Sequence, residues 1–131
     1  MLNCMDGSCI ITSGFMILVI PFIFPSTFNA LAIWPFIILR ERDLSSDPVL
    51  MHHERIHLKQ QKELLWIFFF LFYFAEFLAK IIIYRELKQA YRNVSFEREA
   101  YQQESNMDYA LNKPIWSFVR YIAEDSVQQS N

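Results

Sequence analysis

The first forty residues are almost entirely apolar. No charged residue occurs between Asp6 and Arg40, and prolines at 21, 25 and 35 are the main interruptions. A membrane helix needs about 20 apolar residues, so this broken run fits either a tilted span or a re-entrant hairpin that bends near Pro25–Ser26. A cleaved signal peptide fits less well, because residues 1–9 contain no Lys or Arg. Leu31–Leu39 is short and rich in Ile, Phe and Trp, which predicts a strand that Pro35 would confine to a sheet edge.

The rest of the chain is predicted to be mainly helical. Asp47 is a good N-cap and Pro48 suits the first helical position. From Val49 to Lys113 there is neither Gly nor Pro, and good helix formers are abundant. Ser95 offers an internal helix start, with acidic residues in the turns that follow, where the helix dipole favours them. We therefore expect a mainly α fold, with a hydrophobic segment of residues 1–40 that leaves room for one or two short strands, and a helical domain of residues 41–131.

Composition and charge narrow the classes of function. The chain has 53% hydrophobic and 17% aromatic residues, and the apolar ones concentrate before Arg40 and again from Leu64 to Ala75. This distribution favours membrane association. The net charge is −2, with acids and bases interleaved and no basic stripe, so a nucleic-acid partner is not expected. Cys4 and Cys9 are the only cysteines, and we interpret them as inert, which leaves the redox compartment open.

The chemistry-bearing motif is His53-Glu54-Arg55-Ile56-His57, which reads HExxH on a predicted helix. Residues four apart lie on the same helix face, so the two imidazoles can bind one Zn²⁺. Glu54 is turned so that its carboxylate can act as the general base toward a water molecule. His52 points roughly 100° away, and we interpret it as a bystander with respect to the metal.

A catalytic zinc site needs a third protein ligand and leaves the fourth position open. No histidine remains outside residues 52–57, so the third ligand should be a carboxylate. The downstream candidates are Glu63, Glu76, Glu86, Glu97, Glu99, Glu104 and Asp108.

The segment Phe96-Glu97-Arg98-Glu99-Ala100 resembles the third-ligand helix of the gluzincins, the HExxH metallopeptidases with a distal Glu, and in particular their integral-membrane branches. The resemblance implies that Glu97 is the third ligand and that Ala100 allows close packing on the HExxH helix. Tyr101 stands where those families usually place Asp. The run from His57 to Gln61 is also similar to the HxxQQ continuation of some compact gluzincin-like domains.

The apolar block Leu64–Tyr84 constrains the topology. If it crossed a bilayer as one straight helix continuous with the motif, His57 and Glu97 would lie on opposite sides. We therefore expect two antiparallel helices with a turn somewhere in residues 76–84, although Glu76 and Lys80, four residues apart, equally suit a continuous helix.

These patterns predict a membrane-associated zinc metalloendopeptidase. The predicted metal ligands are His53, His57 and Glu97, the catalytic base is Glu54, and the partners are membrane lipid and a polypeptide substrate. Basic residues around the motif favour a site on the cytoplasmic side. Tyr101 and Tyr109 are the candidates for stabilising an oxyanion. The alternatives are a non-catalytic membrane interaction protein with a structural or vestigial metal site, and an all-helical membrane protein in which the motif arose by chance.

Overall fold

The N-terminal part of the chain forms a small β-sheet. The computed structural model describes residues 9–12, 14–25 and 28–122. The strand order is β1-β2-β4-β3, with β1–β2 and β3–β4 antiparallel and β2–β4 parallel. Gly14 has a φ of +99°, a backbone conformation that Gly adopts readily, in the tight turn between β1 and β2. The strands are β1 (Cys9–Thr12), β2 (Phe15–Val19), β3 (Ala30–Ile33) and β4 (Phe36–Leu39).

This sheet corrects the predicted conformation of the uncharged N-terminal stretch. Within the described residues it contains strands and a short 3-10 turn (Pro21–Ile23), so neither a helical span nor a re-entrant helical hairpin is present there. The predicted edge strand over residues 31–39 was also wrong in its second half, because β4 lies inside the sheet between β2 and β3. Pro35 is compatible with this position because it lies in the β3–β4 turn, where no ladder N–H is needed. Ser26, Cys4 and the C-terminal tail lie outside the described residues.

The remainder is helical, which confirms a mainly α fold with a small sheet. The helices are α1 (Pro48–Glu63), α2 (Ile67–Tyr84), α3 (Leu87–Arg92), α4 (Ser95–Gln103) and α5 (Tyr109–Asn112), and a 3-10 turn (Arg42–Ser46) precedes α1. The α1 N-cap is as predicted: Asp47 Oδ1 accepts hydrogen bonds from the backbone N–H groups of Val49 and Leu50, at 3.0 and 3.1 Å.

The helix breaks differ from the prediction. The expected turn within residues 76–84 was wrong, because α2 runs unbroken to Tyr84 and the chain turns at Arg85, whose φ is +56°. A second break separates α1 from α2, where Leu65 and Trp66 have φ values of +54° and +63°. Neither break contains Gly or Pro, so the sequence carried no local signal for its position.

Helix α1 is the centre of the packing. Its residues Met51 and Leu58 join Ile17, Ile37 and Leu39 of the sheet in one buried cluster. Gln61 ties the same helix to the sheet edge, because its side-chain amide donates to the carbonyl of Ala32 (2.8 Å) and its carbonyl oxygen accepts from the N–H of Trp34 (2.6 Å). A second buried cluster joins the end of α1, α2, α4 and the C-terminal segment, and contains Leu64, Phe69, Val94, Phe96 and Phe118.

Helix α2 is mostly exposed. Among the described helices it is the one long and apolar enough to cross a membrane, with a mean hydropathy of 2.0 over its 18 residues, of which only 11% are buried. Its inner face carries Phe69, Tyr73 and Phe77 against the protein. The division of the chain at residue 40 stays a prediction, and the shared core shows that the N-terminal sheet and α1 pack together.

Candidate metal centre

The three predicted ligands lie together in the interior. His53 and His57 project from one face of α1, and Glu97 lies in the first turn of α4. Oε2 of Glu97 is 3.3 Å from Nε2 of His53 and 3.1 Å from Nε2 of His57, and the two Nε2 atoms are 3.2 Å apart. All three residues are buried, and together they could hold a metal ion.

Glu97 is fixed by helix α2. The carboxylate of Glu76 accepts hydrogen bonds from the backbone N–H (2.8 Å) and the hydroxyl (2.6 Å) of Ser95. The predicted helix start at Ser95 is therefore right, but the capping group comes from α2, and Ser95 is the first helical residue. Tyr73 of α2 donates its hydroxyl hydrogen to Oε1 of Glu97 at 2.8 Å. With Oε1 held in this way, Oε2 faces the two imidazoles.

The far side of each imidazole ring also has a partner. Nδ1 of His53 lies 2.9 Å from Oε2 of Glu104, and Nδ1 of His57 lies 2.9 Å from Oε1 of Gln60. Because both partners are acceptors, each Nδ1 carries a hydrogen, and in a neutral ring the lone pair is then on Nε2. Two Nε2 lone pairs and a carboxylate oxygen thus converge on one point, an arrangement that could hold a metal ion.

The close approach of His57 and Glu97 shifts the pKa values of both residues. Burial by itself would lower the pKa of His57, but the adjacent Glu97 carboxylate outweighs burial and raises the pKa to about 9. Burial would likewise raise the pKa of Glu97, but the charges and hydrogen bonds of His57 and His53 hold it well below its ordinary value. A protonated His57 imidazole therefore forms an ion pair with the Glu97 carboxylate.

His52 lies outside the group of candidate ligands and has a structural role. This residue is buried, and its Nδ1 donates to the backbone carbonyl of Glu104 (3.0 Å) while its Nε2 accepts from the backbone N–H of Ala110 (3.3 Å). His52 therefore holds the loop that presents Glu104 to His53. Tyr101 occupies the position where the gluzincin motif, which this segment resembles, has Asp, and it packs its ring edgewise on His53 with centroids 4.5 Å apart. Glu104 is the acid that contacts Nδ1 of that imidazole.

Three of the other predicted ligand candidates have different partners in the described part of the chain. Glu63 pairs with Lys113 at 2.7 Å, and Glu76 binds Ser95. Glu99 is fully buried and accepts from Tyr109 (2.7 Å), from Ser117 and from the amide of Gln60 (3.0 Å). Gln60 therefore links His57 to this second polar cluster, which gives the first Gln of the HxxQQ run a physical role.

Glu54 borders a cavity of about 360 Å³ that also reaches His57 and Glu97. Burial raises the pKa of Glu54, the nearby His57 and His53 partly oppose this increase, and the charge of Glu97 adds to it. A carboxyl group with a raised pKa next to a potential metal position is suited to accept a proton and return it.

Tyrosine placement differs from the sequence prediction. Tyr109 donates to Glu99, away from the cavity, and Tyr101 lies against His53. Tyr91 of α3 lines the cavity together with Glu54 and His57. Burial and the nearby Glu97 raise the pKa of Tyr91, so its hydroxyl keeps its hydrogen, and this hydroxyl also hydrogen-bonds with Tyr101. No sequence signal singled out Tyr91, because its approach to the motif depends on the chain reversal after α2.

Comparison of the chain with protein-family models, with curated proteins and with solved structures gave no match.

Proposed function

We propose that the protein is a membrane-associated zinc endopeptidase that resembles the gluzincins. The observation that carries the proposal is the convergence of His53, His57 and Glu97 beside Glu54 and an open cavity. Two imidazoles and one carboxylate are the ligand set of a known class of catalytic zinc sites.

The spacing of the donor atoms fits such an ion. Zinc–nitrogen distances of about 2.0–2.1 Å in a tetrahedral site place neighbouring donor atoms roughly 3.3 Å apart. The three separations among Nε2 of His53, Nε2 of His57 and Oε2 of Glu97 are 3.2, 3.3 and 3.1 Å. The partners on the far side of the rings, Glu104 and Gln60, are of the kind that orient metal-binding histidines.

Zinc in this position would polarise the scissile carbonyl and lower the pKa of a water molecule. Glu54 takes a proton from the water molecule that attacks the carbonyl carbon. It then gives this proton to the nitrogen of the leaving amine as the peptide bond breaks. Tyr91, which lines the same cavity, donates a hydrogen bond to the carbonyl oxygen as negative charge develops there.

The open side of the site favours catalysis over a structural metal site. A structural zinc site is usually closed by four protein ligands. In the described part of the chain three candidate ligands converge, and a cavity of about 360 Å³ borders two of them. The non-catalytic alternative has no comparable observation in its favour.

The exposed face of α2 supports membrane association. Phe68, Leu71, Phe72 and Leu78 are each half or more exposed. An apolar surface of this kind is typical of contact with lipid. Replacing Leu71 and Phe72 by Glu should release the protein from liposomes in a flotation assay without loss of metal. Retention of the double variant on liposomes would argue against lipid contact through α2.

Two variants test the proposed chemistry. Glu54→Gln should abolish hydrolysis of a peptide library while the protein still binds one zinc ion. Glu97→Ala should lower zinc affinity strongly, whereas Glu86→Ala, at an exposed acid after α2, should leave it unchanged. Turnover by the folded, zinc-loaded Glu54→Gln variant would overturn the proposal, and so would stoichiometric, tight zinc in Glu97→Ala.

A further inference from the structure

The cavity beside the candidate metal centre is mainly apolar. Its walls come from the segment around Phe24 and Phe28, from β3, and from the aromatic face of α2 that includes Phe69 and Phe70. Its volume of about 360 Å³ is near the lower end of the range for pockets that bind small molecules, about 300–1,000 Å³. A cavity of this size can hold one large side chain of a bound polypeptide.

The titratable groups that line the described part of the cavity belong to the proposed site. Among the described residues, no Lys or Arg lines it, and its only carboxylates are Glu54 and Glu97. Both acids already have roles in the proposed site. A buried charge without a partner is costly, so the cavity disfavours an acidic or basic side chain, a terminal carboxylate or a terminal ammonium group. This chemistry favours cleavage within a chain over removal of a terminal residue.

The mouth of the cavity is apolar as well. Ile23, Leu31 and Phe74 line the cavity and are 44%, 41% and 64% exposed. Phe74 also belongs to the exposed apolar surface of α2. An apolar group can therefore enter between β3 and α2 while it stays in contact with apolar surface.

We propose that this cavity binds a large, uncharged apolar side chain of the substrate next to the scissile bond. The inference rests on the proposed peptidase function and names the substrate class of the same site. Burial of an aromatic side chain contributes about one to two factors of ten in affinity. Specificity should therefore come mainly from this one residue of the substrate.

Hydroxamate probes test the inference without requiring turnover. Wild-type protein loaded with zinc in detergent is titrated calorimetrically with acetohydroxamate, 3-phenylpropanohydroxamate and succinic monohydroxamate. The phenyl probe should bind at least about tenfold more tightly than acetohydroxamate, and the acidic probe should gain nothing. Equal affinities, or a gain for the acidic probe, would overturn the inference.

Two matched pairs of variants locate the binding. Leu31→Trp narrows the mouth and should remove the advantage of the phenyl probe, whereas Leu78→Trp, on exposed α2 away from the cavity, should not. Phe74→Ala should weaken phenyl binding more than Phe72→Ala does. Zinc content and acetohydroxamate binding report that each variant is folded. Zinc and acetohydroxamate binding without a phenyl advantage refutes this inference alone, whereas failure to bind zinc refutes it together with the proposed function.

Discussion

Glu104 provides the most specific test of the site, because neither the motif nor the resemblance pointed to it as a partner of His53. Its carboxylate lies 2.9 Å from Nδ1 of His53, and 27% of its side chain is exposed. Loss of such a partner typically lowers metal affinity about 10- to 100-fold, equivalent to about 1.4–2.7 kcal/mol. Since water can partly replace the half-buried carboxylate, we expect Glu104→Ala to lower zinc affinity by about tenfold.

Zinc affinity would be measured by competition with a chromogenic chelator, with circular dichroism as the folding control. Glu104→Gln keeps an acceptor oxygen and should lose less affinity than the Ala variant. Asp108→Ala removes an exposed acid from the same loop without touching His53, and it should bind zinc like the wild type. If folded Glu104→Ala matched Asp108→Ala within about twofold, the contact with His53 would not support the metal, and the reasoning would be wrong.

Three further outcomes follow. Zinc must displace the proton on His57, whose pKa the adjacent Glu97 carboxylate raises to about 9, so zinc affinity should increase about tenfold per pH unit as the pH rises toward 9. A flat profile from pH 7 to 9 would contradict this. Glu76→Ala removes the carboxylate that caps α4 and should lower the free energy of unfolding, measured by thermal denaturation, by about 1–2 kcal/mol. The side chain of Glu86 caps no helix, so Glu86→Ala should lower it by less than about 0.5 kcal/mol. Tyr91→Phe should lower kcat about 100-fold with zinc content unchanged, while Tyr109→Phe, which alters a hydroxyl away from the cavity, should affect kcat much less.

The histidine pair of the candidate site could be predicted from the sequence, because both residues lie on one helix. Two histidines four residues apart share a helix face in any α-helix, and α1 has the strong start that Asp47 and Pro48 predicted. The choice of Glu97 among seven acids came from the resemblance. The roles of Glu104 and Tyr91 were not predicted. Both residues are far in sequence from the HExxH motif, and the periodicity of the sequence gives no signal for such long-range contacts.

The N-terminal sheet was harder to predict for a physical reason. Strands of four or five residues with apolar side chains on both faces show no alternation of polar and apolar positions, so the uncharged run looked like a membrane segment. The inner strand β4 is covered on both sides by neighbouring strands, and α1 buries Ile37 and Leu39. Gln61 then satisfies the carbonyl of Ala32 in the edge strand β3 and the N–H of Trp34 just after it, a task that a sequence pattern does not reveal.

The break between α1 and α2 is the condition on which the whole site depends. If the two helices were continuous, Phe69, twelve residues after His57, would lie about 18 Å further along the axis. The rings of Phe69 and His57 are instead 6.5 Å apart, because the chain turns at Leu65 and Trp66 and brings α2 back beside the candidate metal centre. The same turn allows Tyr73 to reach Glu97. An apolar helix that continued straight on from the HExxH motif would leave the imidazoles without their carboxylate support and the cavity without its aromatic wall.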